Sequence, residues 1–186
     1  LHSTSRRQRQ MCIRDSLCKM VSAAFVEGFY SKPRVDKQLL EQYHEGLICL
    51  SACLAGEIPR RLVNGDYDGA KEYALTMREI FGEDSFYLEL QDHGIADQTE
   101  VNRQLLRLHN ETGIPLVCTN DAHYLRRDDA KMQSILLCIQ TGKTIQDADR
   151  MEFQTDEFYV KTTDEMYDLF AMVPEACANT QKLSLI

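Results

Sequence analysis

The period of apolar and polar positions changes several times along the chain, and each change marks an element. LCKMVSAAFVEGFY, from Leu17, predicts a short apolar helix ending at Gly28. Pro33 breaks the chain, and Asp36 can cap a helix over KQLLEQY. GLICLSACLAG, from Gly46, is an apolar run of strand type. Asn64 to Asp66 form a turn, with Asp66 as cap for the next helix. That helix sets Tyr67, Ala70, Tyr73, Ala74, Met77, Ile80 and Phe81 at offsets of three and four, an amphipathic stripe. SFYLELQ predicts a second strand. DQTEVNRQLLRLHNETG predicts a helix with Asp97 as cap, Glu100 three residues on and Gly113 as stop. IPLVCT predicts a third strand, residues 128–140 a helix, and EFYVK a fourth strand. Thr162 with Glu165 reads as a capping box for DEMYDLF.

Strands alternating with helices predict an α/β fold with a parallel sheet and right-handed crossovers. In such folds ligands gather at the carboxyl ends of the strands. Cys53 follows the first strand, Glu89, Asp92 and His93 lie at the end of the second, and Asp121 and His123 follow the third. His44 and His109 lie elsewhere, and His109 reads as a solvated helix residue beside Arg103 and Arg107.

Composition narrows the function classes. The chain has 186 residues, 44% hydrophobic and 27% charged, as in ordinary globular domains. No apolar run approaches the ~18 residues of a membrane span, so the expectation is a soluble protein with no membrane partner. A net charge of −8 argues against this segment being a principal nucleic-acid grip. The seven cysteines form no C-x-x-C pair and are expected as free thiols of a reducing cytosol. Residues 1–16, with Arg6, Arg7, Arg9 and Arg14, lack periodicity and the apolar centre of a signal peptide. They read as a non-native leader, which leaves His2 and Cys12 without functional weight; the closing LSLI reads as a similar scar.

Asp121 and His123 stand two residues apart in a segment expected to be extended, where i and i+2 side chains share a side. A carboxylate and an imidazole so placed make a partial shell for Zn²⁺ or Mn²⁺; a turn aspartate beside a surface histidine is the bland alternative. Cys53 is either a thiolate ligand at a strand end or a small buried apolar residue. Glu89 and His93, in LELQDHG, are a carboxylate and a base near the same end, or simply loop polarity. Lys143 in QTGKT lacks the glycine spacing of a phosphate loop.

Taken in order, EGLICLSACLAGEIPRRLVNGDY, FYLELQDHGI, GIPLVCTNDAHYL, LLCIQTGKT and FYVKTTDEMYDLF resemble one family. They are similar to the PHP (polymerase and histidinol phosphatase) domain of C-family bacterial replicative DNA polymerases, the polymerase III alpha type. The resemblance runs from about Leu17 to Lys182. It implies a partial irregular βα barrel, truncated on its N-terminal side, with a metal cluster at the carboxyl ends of the strands. It divides the chain into the leader 1–16, a C-terminal PHP part 17–145 and a connection toward the polymerase palm over 146–186. The family's late cysteine ligand falls on Cys53, and its aspartate–histidine pair on Asp121 and His123. The family's opening H-x-H and the palm carboxylates have no counterpart here, so the fragment itself is expected to be inactive and its metal cluster incomplete.

The resemblance also implies Zn²⁺ or Mn²⁺ in the PHP site and Mg²⁺ in the palm of the longer protein. Its implied activities are DNA-directed DNA polymerisation and 3′–5′ exonuclease proofreading, or a scaffold in place of the latter. Its implied partners are DNA, the sliding clamp, and the proofreading and clamp-loader subunits, in a bacterial cytoplasm. A free-standing PHP phosphoesterase is the rival, but such a protein would not continue past the barrel into QTGKTIQDADRMEFQTDEFYVKTTDEMYDLF.

Overall fold

Three short strands pair side by side in chain order, and helices supply every connection between them. The computed structural model describes residues 2–184, with side chains from residue 13 onward. Among these residues the helices are α1 (His2–Val26), α2 (Lys37–Tyr43), α3 (Glu57–Val63), α4 (Tyr67–Phe81), α5 (Ala96–Thr112), α6 (Ala130–Thr141), α7 (Thr163–Leu169) and α8 (Pro174–Leu183). The strands are β1 (Cys49–Leu50), β2 (Phe86–Leu90) and β3 (Leu116–Cys118), all parallel. Cys49 pairs with Phe86, and Leu90 with Cys118. α3 and α4 cross from β1 to β2, and α5 from β2 to β3, as a parallel sheet requires. The fold is thus mixed α/β with a small parallel sheet, as the alternating pattern predicts.

The core lies against β2. Phe86, Leu88 and Leu90 are buried there, together with Ala70, Ala74, Met77 and Ile80 of α4 and Val101, Leu105 and Leu108 of α5. The stripe read on α4 is therefore the buried face, and burying one such aliphatic side chain contributes about 1.5–3 kcal/mol. The caps read from the sequence at Asp36, Asp66 and Thr162 all form. Asp36 Oδ1 accepts from Leu39 N at 2.9 Å and Asp66 Oδ1 from Gly69 N at 3.0 Å. Thr162 Oγ1 accepts from Glu165 N at 3.3 Å, while Glu165 Oε2 accepts from Thr162 N at 2.7 Å. Gly113 ends α5 in the left-handed region at φ 72°.

Several elements differ from expectation. The helix expected from Leu17 is part of α1, which also takes in 2–16. That stretch holds no Gly or Pro, so nothing in it breaks a helix. The strand expected over GLICLSACLAG is two residues long, because Ala52 turns into the left-handed region at φ 65°. α3 follows, and Pro59 is tolerated in its first turn, where amide donors have no intrahelical acceptor. Asp97 does not cap α5. Ile95 occupies that position, and Asp97 sits inside the first turn, where its charge suits the helix's positive end. Glu100 bonds Arg103 and Gln104 rather than closing a capping box. His109 is half-buried, with Nδ1 2.7 Å from the Ile114 carbonyl. EFYVK is not a fourth strand of the sheet. It makes one parallel bridge, Tyr124 to Tyr159, with the loop after β3. The free edge of β3 is taken instead by α8: Asn179 Nδ2 donates to Leu116 O at 2.8 Å and Thr180 Oγ1 to Cys118 O at 2.7 Å. Of the closing LSLI, residues 185–186 lie outside the described residues.

Candidate functional site

The carboxyl ends of β1, β2 and β3 are held together by buried side chains. At the end of β1, Ser51 Oγ accepts from Glu89 N at 2.8 Å. From β2, the Glu89 carboxylate reaches sideways in both directions: Oε2 accepts from Ala52 N at 3.1 Å, and Oε1 from Gln91 Nε2 at 3.0 Å and from the Thr119 hydroxyl. Gln91 Nε2 also donates to Thr119 Oγ1 at 3.1 Å. Glu89 and Gln91 are 9% and 7% exposed, so this network is shielded from water and its polar atoms must satisfy one another. Gln91 Oε1 has no partner among the described residues, and Gln91 lines the same small cavity as Cys53 and Glu89. Burial, then the Glu89 charge, push the Cys49 thiol up to about 11.

The loop after β3 carries Asp121 and His123. Asp121 Oδ1 lies 3.7 Å from His123 Nε2, and both side chains are part-exposed. They do not meet by strand alternation. Asp121 sits in the left-handed region at φ 42°, uncommon for a residue with a Cβ, and the loop around it is bent rather than extended. The His123 amide donates to Phe158 O at 2.8 Å, and its ring packs on Phe153 at 4.7 Å and edge-on to Phe158 at 5.6 Å. Phe153 and Tyr124 also line a cavity of about 630 Å³ bounded by Lys131, Ile135, Arg150 and Asp156.

His93 is 1% exposed and has no free ring nitrogen. Its Nδ1 lies 2.9 Å from Gln98 Nε2, which can only donate, so Nδ1 accepts. Nε2 then carries the proton and donates to the Asn120 carbonyl at 2.8 Å. The ring stacks on Phe158 at 4.0 Å, and its own amide donates to Gln98 Oε1 at 2.8 Å. His93 thereby tethers the residue next to Asp121.

The structure thus brings Asp121 and His123 together, sets Cys53 and Glu89 on one small cavity, and does not bring Cys53 to the Asp121–His123 pair. Among the described residues no group of three or more His, Cys, Asp or Glu is close enough to hold a metal. The donor set of Asp121 and His123, one carboxylate oxygen and one imidazole nitrogen, fits part of a Zn²⁺ or Mn²⁺ shell. Sequence reading missed Thr119, Gln91, Gln98, Phe153 and Phe158. Gln98 lies five residues from His93 and Gln91 two from Glu89, but the contacts of Thr119 with Glu89 and of Phe153 and Phe158 with His123 span 30 residues or more and leave no local signal.

Residues 7–93 match the PHP domain family. The chain is similar to bacterial DNA polymerase III alpha subunits. It is 47% identical to that of Borreliella burgdorferi over 169 residues, covering 91% of this chain and 15% of the relative. Identity to the Treponema pallidum subunit is 46%, covering 91% of this chain and 14% of the relative. To the Thermus aquaticus subunit it is 43%, covering 87% and 13%. The chain therefore spans about 15% of the length of the curated relatives it matches. Among the described residues no helix is long and apolar enough to cross a membrane.

Proposed function

We propose that the chain is part of the alpha subunit of a bacterial replicative DNA polymerase, a DNA-directed DNA polymerase working in the cytoplasm. Its partners there are DNA, the sliding clamp, and the proofreading and clamp-loader subunits, and Mg²⁺ serves the palm of the longer protein. Residues 1–16 are a non-native leader, 17–145 the later part of a PHP barrel, and 146–186 the connection toward the palm. The similarity over 91% of the chain to subunits of that name supports this reading. A free-standing phosphoesterase fits less well, because the likeness continues through the segment beyond the barrel.

Within this protein the PHP portion contributes donors to a metal site for phosphodiester hydrolysis, a 3′–5′ exonuclease. The observation that carries this is the Asp121–His123 pair, 3.7 Å apart and part-exposed at the carboxyl end of the sheet. In the longer protein Cys53 would join the pair as part of a larger donor set for Zn²⁺ or Mn²⁺; among the described residues it lines a separate small cavity and does not meet them. Such ions polarise a phosphate and activate water. This chain's own residues orient the donors: Phe153 and Phe158 fix the His123 ring, and His93 and Glu89 hold the loop from within. A scaffold that positions the polymerase is the alternative reading, because the family's opening H-x-H ligands have no counterpart in this chain.

The test is elemental analysis of the full-length polymerase beside both activities. Asp121→Asn and His123→Ala should each lose metal and 3′–5′ exonuclease activity while polymerisation persists. Full metal content in both variants overturns the ligand assignment. Metal loss from a wild type that never had exonuclease activity leaves the scaffold.

A further inference from the structure

We infer that Glu89 is a positioning residue, whose buried carboxylate fixes the Cys53 turn and the Asp121–His123 loop relative to each other. This rests on the metal-site reading above.

Glu89 projects from the central strand, and its two oxygens point to opposite neighbours. Oε2 takes the Ala52 amide at 3.1 Å, one residue before Cys53. Oε1 takes the Thr119 hydroxyl, two residues before Asp121, and Gln91 Nε2 at 3.0 Å. All three partners are donors toward it, so the group is suited as an acceptor only, which a carboxylate is and an amide is not. Among the described residues no Lys or Arg pairs with it. A carboxylate 9% exposed without a cation is costly to bury, and its three hydrogen bonds are what offset that cost here. Both backbones it steadies leave the strand through the left-handed region, Ala52 at φ 65° and Asp121 at φ 42°. Neither is glycine, so both conformations must be held by their surroundings. One carboxylate spanning both turns does this, where two independent contacts would leave the loops free to drift apart.

The experiment uses the full-length polymerase with zinc as probe. Glu89→Asp keeps the charge but withdraws it by one methylene, too short to span both turns. It should weaken zinc binding by about tenfold or more, the usual effect of removing a group that orients a ligand. Amide hydrogen exchange should quicken together in peptides covering 51–54 and 119–123, with α4 and α5 unchanged. Glu89→Gln, which keeps the length and one acceptor oxygen, should recover part of the affinity. Thr119→Val severs a single tether and should quicken 119–123 alone; it carries the test if Glu89→Asp does not fold. Asp121→Asn is the control for the metal-site reading. If it loses zinc while folded Glu89→Asp and Thr119→Val bind zinc as the wild type does, the positioning role is wrong. If Asp121→Asn itself keeps zinc, the metal-site reading falls, and the inference with it.

Discussion

Thr180 of α8 takes both backbone groups of Cys118 in β3: its hydroxyl donates to the Cys118 carbonyl at 2.7 Å and lies 3.2 Å from the Cys118 amide, which donates to it. One side chain thus does at this edge what a fourth strand would otherwise do. Beside it, the Cys118 and Cys177 sulfurs lie 2.9 Å apart in the same buried seam. Helix and strand are joined by polar and apolar contacts together, so the sheet ends here.

Replacing Thr180 by Val keeps the shape and removes the hydroxyl. The Cys118 amide and carbonyl then lose their partner, and the fold should weaken by about 1–3 kcal/mol. Thr180→Ser should restore most of it. Chemical denaturation of the three proteins measures the difference; equal midpoints would show that the hydroxyl is replaceable by water.

Alkaline pH should destabilise the fold. Burial, then the hydrogen bond with Cys177, push the Cys118 thiol up to about 12, and Cys49 rises to about 11. Burial also raises Tyr67, Tyr73, Tyr87 and Tyr124. These are acids whose neutral form the fold prefers. Between the ordinary thiol value of 9.0 and the folded values, the unfolded chain gives up protons that the folded chain keeps, so stability falls as pH rises. Urea midpoints should be flat up to about pH 8 and decline above about pH 9. A midpoint that rises over that window contradicts the assignment.

His93→Phe should cost stability through unpaired groups rather than lost packing. The phenyl ring can still stack on Phe158, but the Gln98 amide and the Asn120 carbonyl lose their partners. A loss of about 1–3 kcal/mol is expected, with faster amide exchange at 119–121. A free, proton-transferring histidine would instead leave stability unchanged on replacement.

Asp121→Gly should stabilise the fold. The left-handed φ of 42° is costly with a Cβ and free without one, so a gain of up to about 1 kcal/mol is expected despite the greater freedom of the unfolded glycine chain. The same change deletes a donor of the candidate site. A higher melting temperature with less bound metal is the expected pair of results; a lower melting temperature would mean that the Asp121 side chain supports the loop more than its backbone strains it.

The sequence by itself determined the elements whose causes are local. The offsets from Tyr67 to Phe81 set the buried face of α4, Asp36, Asp66 and Thr162 set helix starts, and Gly113 set the end of α5. The alternation of strands and helices set the parallel sheet, and so put Glu89, Asp121 and His123 near one end of it. Only the tertiary structure decided the rest. EFYVK has a strand's composition, yet Thr180, 62 residues after Cys118, already occupies the edge it would need. LSACLAG is apolar but for Ser51, yet Ala52 turns away after two paired residues, its amide held by a carboxylate 37 residues on. His93 looks like a base in LELQDHG and is saturated by Gln98 and Asn120. Helix caps and faces follow from neighbours within about four residues, which a pattern records. Which donor reaches which acceptor across the core depends on how whole elements pack, and no local pattern carries that.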